Sequence, residues 1–178
     1  MTSRSETVVF TFIGADRPGL VQMLSDAVAR CGGNWLESRM STLAGQFAGI
    51  VEVEIDAGQV AQLRDGLQAL ASQGLTVVVA GSSAALDESA SRRLRLSIIG
   101  PDRPGIVREV SGALAAHQIN VLEMDTSLTN APMSGEPLFE AIAEIRVPRS
   151  LNLAELNGRL DEIADALTID IDLEEALR

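Results

Sequence analysis

Lysine and tyrosine are missing from this chain, and cysteine, histidine and tryptophan occur once each. A lone cysteine, Cys31, cannot close an internal disulfide, and no cluster of ligating side chains has the spacing of a metal site. The only histidine, His117, falls on an apolar stripe, where a packed or rim residue is expected rather than a general base. Cys31 holds the equivalent place as a small buried hydrophobe. Neither a Walker A loop nor a G-x-G-x-x-G turn is present. No charged leader precedes an apolar run, and no run approaches a membrane span, so a cytoplasmic location without a membrane partner is expected. These absences argue against an enzyme: no catalytic residue, no metal and no cofactor is expected.

Aromatic residues make up only 3% of the chain, so the core must be built mostly from Ala, Val, Leu and Ile. The apolar fraction of 46% and charged fraction of 22% are those of a soluble globular protein. All 14 basic residues are Arg, set against 25 acids, for a formal net charge of −11. Up to residue 86 there are 5 Arg and 8 acids, and beyond it 9 Arg and 17 acids, so both halves are acidic. A protein that grips a phosphate backbone gathers basic residues into a patch, so direct nucleic-acid binding is not expected.

What is present is a repeat. Gly14-Ala15-Asp16-Arg17-Pro18-Gly19 returns as Gly100-Pro101-Asp102-Arg103-Pro104-Gly105, an offset of 86. The same offset pairs Val21 with Val107, Ser25 with Ser111, Asn34 with Asn120, and Glu37 with Glu123. It then grows to 92, pairing Phe47 with Phe139 and Ile50 with Ile142, which marks a six-residue insertion around Pro132–Pro137 in the second copy.

Each copy reads as the same string of elements. A β-rich run, Thr7–Ile13 or Arg93–Ile99, meets the Gly/Asp/Pro/Gly punctuation and then a helix. The stripe Leu20, Val21, Leu24, Val28 and Cys31 has helical spacing, repeated as Ile106, Val107, Val110, Leu114 and His117. Two strands follow, 34–43 and 47–55 or 120–128 and 138–147. A second helix, 59–73 or 152–167, and a last strand, 75–80 or 168–173, close each copy. Asp170-Ile171-Asp172 is read as the alternation of a half-buried edge strand. The order βαββαβ predicts an α+β fold with two ferredoxin-like domains in tandem, each an antiparallel four-stranded sheet with two helices on one face. The expected boundaries are 1–81, a small and polar linker over 82–91, and 92–178.

The G-x-D-R-P-G segment sits at a strand-to-helix junction. Two readings stand beside each other. In one, Asp16 caps the helix, Pro18 starts it and Gly14 ends the strand, and nothing binds. In the other, the amides of Gly19, Leu20 and Val21 form the positive end of a helix and receive a carboxylate. Arg17 and Arg103 have no evident capping role, and Asn34 and Asn120 open the next strand, which favours the second reading.

The junction, the Asn-initiated second strand and the βαββαβ order resemble those of ACT domains. The tandem arrangement is similar to that of the family of the glycine cleavage system transcriptional repressor. The resemblance implies a small effector, usually an amino acid, held between paired modules. It further implies a ligand set of Asp16, Pro18, Gly19, Leu20 and Asn34, with Asp102, Pro104, Gly105, Ile106 and Asn120 in the second copy. Family members that bind amino acids often carry Asn two residues before the Pro-Gly, where this chain has Asp twice. An aspartate there would hold a ligand ammonium. The function so implied is sensing of an amino acid by a regulatory protein that contacts a transcription factor or similar partner; a homodimer is compatible with it. The alternative is a non-sensing assembly scaffold.

Overall fold

The computed structural model describes residues 4–81, 90–132 and 134–175 of the chain. It divides into two units, Met1–Ala85 and Leu86–Arg178. The first contains β1 (Ser5–Ala15), α1 (Leu20–Arg30), β2 (Asn34–Leu43), β3 (Gln46–Asp56), α2 (Val60–Gln68) and β4 (Leu75–Gly81). The second repeats them as β5 (Ser91–Pro101), α3 (Ile106–Ala116), β6 (Asn120–Asn130), β7 (Pro137–Pro148), α4 (Leu153–Leu167) and β8 (Asp170–Glu175). Each sheet is four-stranded, in the orders β2-β3-β1-β4 and β6-β7-β5-β8, with every described pairing antiparallel. This is the α+β ferredoxin-like pair anticipated from the repeat. Of the expected linker, residues 82–89 lie outside the described residues.

Alternation of side chains across each strand sends one face to the helices. In the first unit Val8, Phe10 and Phe12 of β1 join Val51, Val53 and Ile55 of β3. Leu20, Leu24, Ala27 and Val28 of α1 and Leu63 and Leu67 of α2 cover them. The second unit uses Leu94, Leu96 and Ile98 with Ala141, Ala143, Ile145 and Val147 under α3 and α4. The helical stripe is slightly rotated from its expected setting: Val21 and Val107 are 44% and 42% exposed, while Ala27 and Ala113 are buried.

Several boundaries shift for identifiable reasons. The first strand of each unit runs past its glycine, so Gly14 lies inside β1, opposite both Phe47 and Leu75, instead of ending it. A Cβ there would sit 2.8 Å from the Gly74 carbonyl oxygen, and at Gly100 a Cβ would sit 2.8 Å from Ile169 Cα. Glycine at this place is a matter of close strand approach. The second helix of the first unit is not continuous over 59–73. Asp56 accepts from Gly58 N at 2.8 Å to open a 3-10 turn, and the end tightens to 3-10 over Ala69–Gln73. Such tightening satisfies terminal carbonyls. In the second unit the last strand starts at Asp170, since Thr168 is left-handed (φ 56°) and ends α4. The β2–β3 hairpin turns on Ala44-Gly45, whose φ values of 50° and 76° are both positive, as a type I′ turn requires. Its counterpart carries the insertion, of which Met133 lies outside the described residues.

Candidate functional site

The repeated turn begins where β1 leaves the sheet. Asp16 N donates to the Gly45 carbonyl at 2.9 Å, and Asp102 N donates to the Pro137 carbonyl at 3.0 Å, so each turn is tied to the neighbouring hairpin. Asp16 does not cap the helix. Its Oδ2 instead accepts from Thr42 Oγ1 at 3.4 Å. The capping place belongs to Gly19 and Gly105, in left-handed conformation with φ of 92° and 104°. That backbone is open to glycine without strain and costs a side-chain-bearing residue energy. Pro18 consequently precedes the helix and does not form its first turn. Gly19 O accepts from Met23 N and Gly105 O from Glu109 N, at 3.0 and 2.9 Å.

A glycine cap offers no side-chain oxygen, and neither helix start has a side-chain cap hydrogen bond. The first-turn amides are therefore left to an outside acceptor. The two helix starts differ in their charged residues. No acid stands in the first turn of α1, whereas α3 has Glu109 there, ion-paired to Arg108 at 2.7 Å. The Arg108 cation offsets the Glu109 charge, so neither first turn carries a net charge against the helix dipole.

Asp16, Pro18, Gly19, Asp102 and Pro104 are exposed and Gly105 is half-buried, while Leu20 and Ile106 are 3% and 2% exposed. Leu20 and Ile106 anchor the turns in the cores, so only their amides can face a ligand. In the first unit the turn lines an open concavity of about 390 Å³ with Val21, Gln22 and Phe47. Arg17 has a structural role that sequence reasoning missed: its Nη2 donates to the Gln73 carbonyl at 2.8 Å, closing the 3-10 turn after α2. No such bond is made by Arg103 among the described residues. The signal for it, a helix C-terminus brought beside the turn, exists only in three dimensions.

Asn34 and Asn120 are placed elsewhere. Asn34 pairs with Glu54, which pairs with Thr7, at the opposite end of the sheet from the Ala15–Gln46 pair beside the turn. Eight residues of strand separate those ends, roughly 26 Å at strand rise. Asn120 is set in the same way opposite Arg146, far from the Pro101–Leu138 pair. One unit by itself brings together Asp16, Pro18, Gly19 and Leu20, or Asp102, Pro104, Gly105 and Ile106, without the asparagine.

Two further concavities lie in the second unit. One of about 300 Å³ on the open face of the sheet is bordered by Arg95, Glu123, Asp125, Glu144 and Glu174. The other, about 620 Å³ between α3 and α4, includes His117 among small and charged residues. Among the described residues no group of three or more His, Cys, Asp or Glu could hold a metal ion. No helix of the described residues is long and apolar enough to cross a membrane.

The ACT-domain family matches the chain twice, over residues 6–80 and over residues 94–144. The second match stops before α4 and β8, which the structure supplies. The glycine cleavage system transcriptional repressor of Escherichia coli (strain K12) is 24% identical over 123 residues, 68% of this chain and 65% of the relative. The same figures hold for the repressor of Shigella flexneri, so the match spans just under two thirds of these curated relatives. Among solved structures, an unknown protein from Galdieria sulphuraria is 30% identical with a TM-score of 0.87, over 98% of this chain and 100% of that one. A crystal structure provisionally assigned as a glycine cleavage system transcriptional repressor has a TM-score of 0.71. Its 20% identity, over 97% of this chain and 98% of that one, speaks for the fold alone.

Proposed function

Since the chain belongs to the ACT-domain family, with two domains in tandem, we propose that it is a regulatory sensor of an amino acid. It acts by contacting another protein, in the manner of a transcriptional regulator. One observation supports the reading above others. Twice in the chain, an α-helix starts from a left-handed glycine without a side-chain cap, next to a turn whose Asp, Arg and Pro are exposed. The open amides would take the effector's carboxylate, and Asp16 or Asp102 its ammonium. Of the expected ligand set, one unit brings the turn residues together without Asn34 or Asn120, so the turn carries this reading.

The excess of 25 acids over 14 Arg supports regulation through a protein partner over direct contact with DNA. The likeness to curated glycine cleavage repressors makes transcription the readout to examine first. Catalysis forms no part of the reading. The scaffold alternative draws on the bonds that Arg17 and Asp16 make within the fold, which give both side chains structural work.

Thermal-shift measurements on the full chain against each of the twenty amino acids test the proposal. A ligand that binds only the folded state at about 100 times its Kd stabilises by about 2.7 kcal/mol. One or a few amino acids should raise the melting temperature while the rest leave it in place. A flat response to all twenty would leave the scaffold reading in its stead.

A further inference from the structure

The sheet of the second unit turns one face to α3 and α4 and leaves the other open. Alternation puts Arg95, Ser97 and Ile99 of β5 on the open face, with Ile142 and Glu144 of β7 beside them. Ile99 and Ile142, at 42% and 46% exposed, make an apolar floor on the two middle strands. The outer strands wall this floor with acids, Asp125 on β6 and Asp170, Asp172 and Glu174 on β8. One row across the sheet reads Asp125–Ile142–Ser97–Asp172, and the next reads Ser127–Glu140–Ile99–Asp170. The concavity of about 300 Å³ bordered by Asp125, Ile142 and Glu174 opens on this floor.

The first unit shows that the fold does not require the acidic walls. Its floor is the same, with Ile13 and Ile50 at 48% and 46% exposed. Its walls are Arg39 on β2 and Thr76, Val78 and Ala80 on β4. In the second unit like charges recur at every second residue of β8, about 6.8 Å apart, and repel one another. None of Asp125, Asp170, Asp172 and Glu174 makes an ion pair among the described residues. The arginines of this face, Arg93, Arg95 and Arg146, gather at one end, where Arg93 meets Glu144 at 3.0 Å. Arg95 stands beside Glu174, but no base stands opposite Asp125, Asp170 or Asp172.

We propose that this open face is the docking surface for a basic amphipathic α-helix of a partner protein. From β6 to β8 there are three strand spacings, about 14 Å, against a helix diameter of about 10–12 Å. A helix laid along the strands sets its apolar stripe on Ile99 and Ile142. Basic residues on each flank recur every four positions, about 6 Å, close to the step of the acids along β8. Charge complementarity selects this occupant over an acidic or a wholly apolar one. The proposal rests on the reading that the chain works through a protein partner, and on nothing about the effector.

Fluorescence anisotropy tests it with a labelled synthetic helix of about 16 residues, leucine along one stripe and arginine on both flanks. The full chain should bind this probe saturably, and more weakly as salt rises. Asp125→Asn, Asp172→Asn and Glu174→Gln together should weaken binding on the order of 10-fold. Asp26→Asn, Asp65→Asn and Asp161→Asn remove the same charge from α1, α2 and α4 and should leave binding as in wild type. Ile99→Thr with Ile142→Thr should weaken binding by roughly fivefold through loss of the floor. All of these positions are exposed, so far-UV circular dichroism should match wild type. Absence of saturable binding would overturn the proposal. Equal weakening by the two charge sets would reduce the attraction to net charge and overturn it as well. So would equal binding of a probe of the same composition shuffled to lose its apolar stripe. Helix binding without a thermal shift by any amino acid would keep the docking face and remove the sensor; the opposite pair of results would do the reverse.

Discussion

The two units reach one topology with different parts, and the places where they differ separate what the fold needs from what it tolerates. In the first, Phe12 of β1 lies against Gly49 of β3; in the second, Ile98 lies against Ala141. A Cβ on Gly49 would stand 2.9 Å from the Phe12 ring and 2.8 Å from the Arg39 carbonyl oxygen. A smaller partner on β5 leaves room for the alanine methyl. Volume is conserved across the pair while neither residue is, which is how close-packed interiors accept exchange.

Backbone conformation is exchanged less comfortably. Gly32 and Gly74, at φ of 68° and 83°, are matched in the second unit by Gln118 and Thr168 at 57° and 56°. The second unit thus holds two side-chain-bearing residues in a region that costs them about 1–2 kcal/mol each. What does not vary is the turn: Gly14 and Gly100 press against the chain where it enters the last strand, and Asp-Arg-Pro-Gly follows shortly after each.

The largest expected effect comes from filling the closest approach. Gly100→Ala should destabilise the second unit by about 3 kcal/mol, because the backbone of Ile169 must move. Gly14→Ala should cost somewhat less, since one of its two nearest contacts is the movable Leu75 side chain. Urea melts give both numbers. The single tryptophan, Trp35, packed edge-on to Phe10, reports the first unit alone.

Next in size, Gly49→Ala should cost about 2 kcal/mol in the first unit. Combining it with Phe12→Ile transplants the second unit's pairing, and the double mutant should be less unstable than the two single costs summed, by about 1 kcal/mol. Strict additivity would mean that the two positions are not coupled by volume.

Smaller again, Gln118→Gly and Thr168→Gly should each stabilise the second unit by about 0.5–1 kcal/mol, the relief of left-handed strain less the extra chain entropy of glycine. A loss of stability from either would contradict the strain argument. Least of all, Arg17→Ala should cost about 0.5 kcal/mol through its exposed bond to Gln73, and Arg103→Ala should cost nothing measurable.

Most of the fold was legible because its signals are local and doubled. Alternation, helical spacing and the repeat agree on the order of elements in both copies. Boundaries slipped where three-dimensional contact overrode the local sign. Gly14 reads as a strand end in sequence, yet the strand continues because glycine lets Leu75 approach. Pro18 reads as a helix start, yet Gly19 in left-handed conformation takes the cap. The turn residues of the candidate site were visible as a motif. The distance of Asn34 from them was not, because a strand of ten residues separates neighbours in an alignment pattern into opposite ends of a sheet.

The central claim is that the uncapped helix starts receive an amino acid, and calorimetric titration of turn variants tests it most directly. Gly19 and Gly105 have open space where a Cβ would project, and asparagine tolerates left-handed backbone better than other side-chain-bearing residues. Gly19→Asn with Gly105→Asn therefore places a side chain over each helix start while keeping the fold, as circular dichroism would verify. Titrated with the amino acid that most raises the melting temperature of wild type, the double variant should bind at least about 10-fold more weakly, a loss of about 1.4 kcal/mol. Binding of equal affinity and heat by wild type and the folded double variant would contradict the account.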